Sequence, residues 1–423
     1  MPSHRITHIL LWLNMQKFPA MLAALVRCDF TTQVAPCIIK GKSMKRFRAS
    51  SIVLGLLCLM YLITYLDRVN VSTAADGFAR EFRLSKTQIG FVFSAFAYPY
   101  LIFQIIGGWV SDRFGARRTL IVCGTVWAAA TALTGAATGL VSLLLARVLL
   151  GLGEGATFPA ATSAMSRWVA NEKRGFAQGI THAASRVGNA IAPTAIVAVM
   201  AVYGWRGSFY ICAATSFVWV GLWALTFTEH PADHPRITQA ELATLPQPKR
   251  KAEQVPWGRL FRYMMPVTTV YFCYGWTLWL FLSWIPQYFL HSHDLDLKKS
   301  ALFASSVFFA GVVGDTLGGI VTDKLYQQTG SLRRARSAMV AICMSLSLVS
   351  LLPLLFSHDL YLCLACLCGG FFFAELTIGP MWAIPMDIAP EFSGTASGND
   401  EYRIGACCHH QPCDFRNAHR QVR

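Results

Sequence analysis

The sequence predicts an all-α integral membrane protein with about ten transmembrane helices arranged in two bundles. Of its 423 residues, 54% are hydrophobic and only 14% are charged, which is too few charges to cover a soluble protein of this length. The apolar residues cluster into runs of about 20, and a helix rising about 1.5 Å per residue then crosses a hydrocarbon core of about 30 Å. A pair of similar segments recurs about 200 residues apart, as expected for two related bundles.

The predicted membrane helices lie at 51–72, 87–110, 119–138, 140–164, 176–201, 206–227, 264–290, 299–321, 337–357 and 360–385. Most basic residues in the connecting loops follow the even-numbered helices, as Arg113, Arg174 and Arg334 do. The positive-inside rule therefore places these loops and the N-terminus in the cytoplasm. This orientation explains the net charge of +15 better than nucleic-acid binding does.

A polar, proline-containing stretch separates the first six helices from the others and is the clearest domain boundary. The predicted divisions are an N-terminal extension at 1–44, a six-helix bundle at 45–228, a cytoplasmic linker at 229–258, an incomplete four-helix bundle at 259–398 and an aberrant tail at 399–423. Met44 looks like a more natural start. The polar tail cannot span a bilayer, and we interpret it as a frameshift product in which helices eleven and twelve are lost. The coding DNA would decide this hypothesis.

The tail also contains a cysteine- and histidine-rich run, Cys407, Cys408, His409, His410 and Cys413. Its adjacent ligands match no zinc-finger spacing, so we predict no metal site. No nucleotide-binding glycine loop and no soluble catalytic domain is evident in the sequence, so we predict neither an enzyme nor a cofactor.

Each bundle contains a similar loop, GGWVSDRFGARR at 107–118 and GGIVTDKLYQQTGSLRRAR at 318–336. The repeated positions are Gly108, Asp112 and Arg113 in the first copy and Gly319, Asp323 and Lys324 in the second. Because four residues make about one helical turn, the glycine admits a neighbouring helix and the aspartate one turn later can accept from its N-terminal backbone N–H groups. We predict a latch at each copy; the alternative is an ordinary solvated charge.

Several charged residues lie inside predicted membrane helices, where burying a charge is costly and functional roles are common. Asp67 and Arg68 are in the first helix, and Arg147 and Glu154 lie seven residues apart on one face of the fourth. Arginine offers a planar fork that binds a carboxylate through two hydrogen bonds, and neighbouring acids can exchange protons as the cation engages substrate. The alternative is a set of structural ion pairs.

The loop repeat resembles that of the major facilitator superfamily of transporters. YLDRVNVSTA in the first helix and RVLLGLGEGATFPA at 147–160 resemble its anion:cation symporter family, whose members carry sugar acids, hexuronates and aromatic carboxylates. The resemblance extends from about Phe47 to Gly398. It implies a monomeric transporter in a bacterial inner membrane that carries a small organic anion into the cytoplasm together with protons.

The resemblance also implies roles for individual residues. Arg68 would bind the substrate carboxylate, Asp67 and Glu154 would couple protons, and Arg147 would be their switching partner. The remaining predicted substrate-contacting residues are Tyr65, Tyr100, Arg147, Ser185, Asn189, Tyr274 and Trp276. Three further buried charges stay unassigned, namely Arg186, Asp315 and Glu375. Arg186 suits a second carboxylate site, and the alternatives are snorkelling or a helix–helix contact.

Other functions share parts of this pattern. A proton-coupled antiporter for cationic drugs has the same fold, but it would favour buried acids over the arginine-rich set seen here. A transporter-like receptor would carry a larger soluble appendage. A truncated and inactive transporter is the third alternative.

Overall fold

The computed structural model describes residues 48–246, 257–292, 297–357 and 359–398, and within these ranges every regular element is a helix. This confirms the all-helical class. The predicted extension at 1–44 and tail at 399–423 lie outside the described residues. The described residues belong to a single compact unit, so the division into bundles at 229–258 stays a prediction.

The α-helices are α1 (Ala49–Thr73), α2 (Ala75–Phe82), α3 (Lys86–Phe114), α4 (Ala116–Gly135), α5 (Leu140–Gly155), α6 (Thr157–Trp168), α7 (Arg174–Thr226), α8 (Gln239–Leu242), α9 (Trp257–Ser292), α10 (Leu297–Thr329), α11 (Met339–Leu351), α12 (Leu360–Glu375) and α13 (Ile378–Ile388). Arg333–Ala338 forms a π-helical turn before α11. Below, "first half" means α1–α7 and "second half" means α9 onward.

Seven helical stretches of the described residues are long and apolar enough to cross a membrane. One of them, Asn171–Thr226, is counted once although Gly204 interrupts α7 with a φ of 68°. Each of the ten predicted runs overlaps a helix. The number of ten crossings nevertheless stays a prediction.

Close helix packing positions the charged residues of α5. A Cβ on Gly151 would lie 2.4 Å from the carbonyl oxygen of Phe96, so glycine is required where α5 meets α3. In lipid the hydrophobic effect does not drive helices together, so their association depends on the close packing that small residues permit. Because Gly151 lies one turn from both Arg147 and Glu154, the contact brings this face of α5 against α3.

The start of the predicted linker is structured and attached to the first half. Glu229 accepts hydrogen bonds from the backbone N–H groups of Ala116 (3.1 Å) and Arg117 (2.9 Å), and Glu241 accepts from that of Ser50 (2.9 Å). These N–H groups belong to the first turns of α4 and α1, where no intrahelical acceptor exists. Glutamates of the linker therefore cap two helices of the first half, a role that composition alone does not indicate.

Another polar contact joins the short helix α2 to α7. Glu81 accepts from Arg206 (2.6 Å) and from the indole N–H of Trp205 (2.8 Å). These two hydrogen bonds lower the pKa of Glu81. The contact holds α2 beside the kink of α7.

Candidate functional site

Arg68 lies among aromatic rings. Its guanidinium carbon is 4.5 Å from the ring centroid of Tyr100, 5.0 Å from Tyr65, 5.3 Å from Phe158 and 5.6 Å from Phe96. Cation–π attraction fixes a guanidinium through its faces and leaves its N–H edge available for hydrogen bonds. The side chain is 21% exposed, which makes it the most accessible of the charged groups in this region.

Arg68 also pairs with Glu154, which α5 presents to α1. The Nε of Arg68 donates to Oε2 of Glu154 at 2.8 Å, and the Glu154 side chain is fully buried. A terminal nitrogen of Arg68, NH2, and the second oxygen of Glu154, Oε1, have no hydrogen-bond partner within the described part of the chain. The pair thus uses one of the two prongs that a guanidinium can offer a carboxylate.

Arg147 and Asp67 complete this group, which we call the α1–α5 cluster: Asp67, Arg68, Arg147 and Glu154. Arg147 is 2% exposed, and its guanidinium carbon lies 5.0 Å from the Phe96 ring centroid. Its Nε and NH1 atoms lack an acceptor among the described residues. Asp67 is 1% exposed and accepts from the Ser216 hydroxyl at 3.3 Å. Buried donors without acceptors are costly, so the cluster suits an anionic ligand.

The other predicted substrate residues differ in position. Ser185 is fully buried, and its hydroxyl donates to the carbonyl oxygen of His182 at 2.6 Å, so its hydrogen is already used within α7. Asn189, one turn later, is partly buried. Tyr274 is 1% exposed, whereas Trp276 is 38% exposed. Their contact with substrate stays a prediction.

Tyr274 belongs to a second buried group that joins α7 to the second half. Arg186 donates from NH2 to Glu375 at 3.1 Å and to the Tyr274 hydroxyl at 3.1 Å. The Tyr274 hydroxyl donates to Glu375 at 2.8 Å, and the Nε of Arg186 lies 3.7 Å from Oδ2 of Asp315. We call Arg186, Tyr274, Asp315 and Glu375 the α7–α12 cluster. The structure brings together the three charges that the sequence left unassigned.

Asp112, in the first copy of the repeated loop, contacts a helical segment of the second half. It accepts hydrogen bonds from the backbone N–H groups of Gly394 (3.0 Å) and Thr395 (2.6 Å) and from the Ser163 hydroxyl (3.0 Å). A Cβ on Gly108 would lie 2.3 Å from the carbonyl oxygen of Gly394. The glycine and the aspartate therefore meet the same segment.

Asp323, in the second copy, makes the equivalent contact with the first half. It accepts from the backbone N–H groups of Gly175 (3.0 Å) and Phe176 (2.7 Å), at the N-terminus of α7. A Cβ on Gly319 would lie 2.4 Å from the carbonyl oxygen of Gly175. The basic residues that follow the two aspartates, Arg113 and Lys324, are exposed. Opening and closing of these contacts stays a prediction.

A chain of ion pairs extends from Asp323. Arg336 donates to Asp323 (3.0 Å) and to Asp387 (3.0 Å), and Asp387 also accepts from Arg174 (3.0 Å). All four side chains are at most 7% exposed. From the sequence alone, Arg174 and Arg336 indicate only the orientation of the chain in the membrane. Their pairing is not evident, because the shared acceptor Asp387 lies more than 50 residues from either one. This series of ion pairs joins the two halves beside the second loop.

Comparison with known proteins gives relatives of similar length. A probable sulfoacetate transporter of Cupriavidus necator is 44% identical over 359 residues, or 84% of each chain. The hexuronate transporter of Bacillus subtilis is 28% identical over 345 residues, or 80% of each chain. The D-galactonate transporter of Escherichia coli is 28% identical over 370 residues, covering 83% of this chain and 85% of its own.

Solved structures share the fold. A proton:xylose symporter superimposes with a TM-score of 0.68 at 14% identity, over 88% of this chain and 90% of that chain. A transporter in an outward conformation gives a TM-score of 0.64 at 16% identity, over 86% of this chain and 90% of that one. Similarity at these identities shows the fold alone.

The membrane-length helices and the shared fold of solved transporters are those of a multi-pass membrane protein. The family model described as the Major Facilitator Superfamily matches residues 57–398. The chain belongs to this superfamily, as the repeated loop predicted, and its relatives are transporters rather than enzymes.

Proposed function

We propose that the chain is a secondary active transporter that carries a small organic anion into the cytoplasm together with protons. The observation that supports this most is the incomplete pairing of Arg68 with Glu154. The guanidinium is held by ring faces and one hydrogen bond, and its NH2 atom lacks an acceptor within the described residues. A carboxylate can bind there through the prong that Glu154 leaves open.

Competition for Arg68 provides a mechanism of coupling. An ionised Glu154 holds Arg68 at 2.8 Å and opposes the approach of an anion. A proton on Glu154 removes that negative charge, so Arg68 can bind the substrate with both prongs. Asp67 offers a second carboxylate beside Arg147 for the same purpose. Anion and proton then bind the same state of the transporter, which is the requirement for symport.

The relatives favour substrates that bear a carboxylate. The probable sulfoacetate transporter is 44% identical, and the hexuronate and galactonate transporters are each 28% identical. Arg68 and Arg147 both lie beside the Phe96 ring, at 5.6 and 5.0 Å. Two cations on one ring suit a compact molecule with one or two anionic groups. We therefore propose sulfoacetate first, then galactonate, glucarate and hexuronates, and aromatic carboxylates after these.

The loop contacts fit the alternating access that such transport requires. The basic loops predict that Asp112 and Asp323 face the cytoplasm. Both accept backbone hydrogen bonds from the opposite half. We propose that these contacts hold the cytoplasmic side closed and separate when substrate leaves. The proposed location is a bacterial inner membrane, with a cytoplasmic N-terminus and a monomer as the unit.

The proposal is tested by uptake into liposomes that contain the purified chain. Labelled sulfoacetate, galactonate, glucarate, a hexuronate and an aromatic acid are each offered with and without a pH gradient. At least one anion should accumulate more when the outside is acidic, and protein-free liposomes provide the control. Export of a cationic drug with no anion uptake would instead support the antiporter alternative.

A further inference from the structure

The α7–α12 cluster contains two acidic residues and one basic residue. Arg186 is 7% exposed, and both Asp315 and Glu375 are fully buried. With both carboxyl groups ionised, one guanidinium would face two carboxylates. An uncompensated charge in a low-dielectric site carries a large penalty, and neutralising it is the usual outcome.

The two carboxyl groups are not equally satisfied. Glu375 accepts from Arg186 at 3.1 Å and from the Tyr274 hydroxyl at 2.8 Å. Neither oxygen of Asp315 has a hydrogen-bond donor within the described part of the chain, and Arg186 Nε is 3.7 Å away. Asp315 and Glu375 lie against the same guanidinium, and a Cβ on Gly314, the residue before Asp315, would lie 3.1 Å from the Cβ of Glu375. Two carboxyl groups hydrogen-bond to each other only when one carries a proton.

Packing keeps Asp315 in this place. A Cβ on Gly179 of α7 would lie 2.4 Å from the backbone oxygen of Asp315. A Cβ on Gly314 would lie 2.5 Å from the backbone oxygen of Phe372 in α12. Glycines therefore bring α10 against α7 on one side and α12 on the other, and they hold Asp315 away from solvent at the contact between the halves.

Among the described residues, the other titratable groups near this cluster do not supply a compensating positive charge. Tyr274 is a neutral donor from α9, and Tyr65 of α1 also lies near Arg186. His182, one turn before Arg186 in α7, is 7% exposed, and its Nε2 atom has no partner among the described residues. Its ring centroid is 4.8 Å from that of Trp382, and burial one turn from the cationic Arg186 disfavours a second positive charge on the imidazole.

We propose that Asp315 and Glu375 share one proton, carried on the Asp315 carboxyl and donated to Glu375, and that this is a second proton-binding site besides Asp67 and Glu154. Arg186 comes from the first half and both acids come from the second, so the proton occupies a contact that alternating access must rearrange. Its role in transport rests on the function proposed above. The binding of the proton at this site does not rest on that function, because the proton is held in the absence of substrate.

Infrared spectroscopy of the purified chain, without substrate, tests the site. A protonated carboxyl gives a carbonyl stretch that shifts in heavy water, and the parent should show it at neutral pH. Asp315→Asn and Glu375→Gln should each reduce the integrated intensity of this band by that of one carboxyl group. In each variant the remaining acid is ionised, because it pairs one-to-one with Arg186. Both variants nearly preserve side-chain shape, and their folding is checked by thermal unfolding.

Two control variants make the test specific. Asp76→Asn removes an exposed carboxylate and should leave the band unchanged. The double variant Asp67→Asn/Glu154→Gln should keep the part of the band that Asp315 and Glu375 produce. Retention of the full band in either Asp315→Asn or Glu375→Gln overturns the proposal. If the parent takes up no anion but shows the band, the result contradicts the proposed transport function and still supports the shared proton at this site.

Discussion

Arg68 shows how one residue can be held firmly and still keep a donor that its described neighbours do not use. Four aromatic rings surround its guanidinium at 4.5–5.6 Å, and a single hydrogen bond at 2.8 Å ties it to Glu154. The rings use the faces of the guanidinium, whereas carboxylate recognition uses its edge. Lysine cannot satisfy both, because an ammonium is a point charge without a planar fork.

Arg68→Lys should therefore weaken binding of carboxylates while leaving the fold intact. A charged hydrogen bond contributes about 1.5–3 kcal/mol, so losing one prong should weaken affinity by roughly ten- to a hundredfold. Calorimetric titration with the transported anion measures the change. Arg80→Lys, at an exposed position, is the matched control and should bind like the parent.

A neutral sugar of similar size distinguishes recognition from structural damage. It should bind the parent poorly and respond little to Arg68→Lys, because it has no carboxylate for the fork. If a neutral or cationic ligand binds the parent well and loses affinity equally, Arg68 has a structural role and the organic-anion proposal fails.

Proton coupling makes a separate prediction for Asp67 and Glu154. Glu154→Gln and Asp67→Asn each remove a titrating group without removing Arg68, so gradient-driven accumulation should fall much more than substrate exchange at equal pH. Uptake and counterflow in the same liposomes measure the two quantities. Asp76→Asn serves as the control for loss of an acid, and normal accumulation in both test variants argues against coupling through these residues.

The α1–α5 cluster could be predicted from the sequence, whereas the partners in the α7–α12 cluster could not. A charged residue within an apolar run can be recognised as a functional candidate, because burying a charge there is costly. Its partner is not evident in the same way: Glu154 lies on the same helix face as Arg147, yet the hydrogen bond that it accepts comes from Arg68, 86 residues away. Arg186 meets Glu375 across 189 residues, and no spacing in the sequence encodes that contact.

At the scale of helices, the repeated loop has the same construction twice. Gly108 and Asp112 both meet the segment that contains Gly394, and Gly319 and Asp323 both meet the start of α7. In each case a carboxylate accepts from the first N–H groups of a helix, where the helix dipole favours negative charge. The basic residue that follows is exposed in both copies.

Asp323→Asn should loosen the N-terminus of α7. Hydrogen bonds to a charged group contribute about 1.5–3 kcal/mol, so amide exchange at Gly175 and Phe176 should accelerate by roughly ten- to a hundredfold. Hydrogen–deuterium exchange of the peptide that contains these residues measures the effect. Lys324→Gln changes the neighbouring exposed residue and should leave exchange unchanged. Equal exchange in the parent and Asp323→Asn would contradict the latch.

The positions of helices follow from apolar runs, and other features of the elements do not. The kink in α7 depends on a positive φ at Gly204, which a glycine permits but does not require. The caps that Glu229 and Glu241 provide join the linker to α4 and α1 across 113 and 191 residues. Such contacts depend on how helices pack, which the local pattern leaves open.

At the scale of the whole molecule, polar contacts between described residues join the two halves at several places. Asp112 and Asp323 in the two loops each accept backbone hydrogen bonds from the opposite half. The ion pairs of Arg174, Asp387 and Arg336 lie beside the second loop. The α7–α12 cluster is a further contact between the halves. The α1–α5 cluster belongs to the first half alone. Arg68, the proposed ligand of the substrate carboxylate, therefore lies apart from these contacts between the halves, which allows each to be altered separately.

Proton movement driven by the anion itself tests the central claim most directly. Liposomes that contain the purified chain and an internal pH dye, with no imposed pH gradient and with the membrane potential clamped, receive the transported anion outside. Symport predicts that the lumen becomes acidic as the anion enters, and that Glu154→Gln abolishes this change. Anion entry without a change of internal pH, or a lumen that becomes alkaline, would contradict proton-coupled symport.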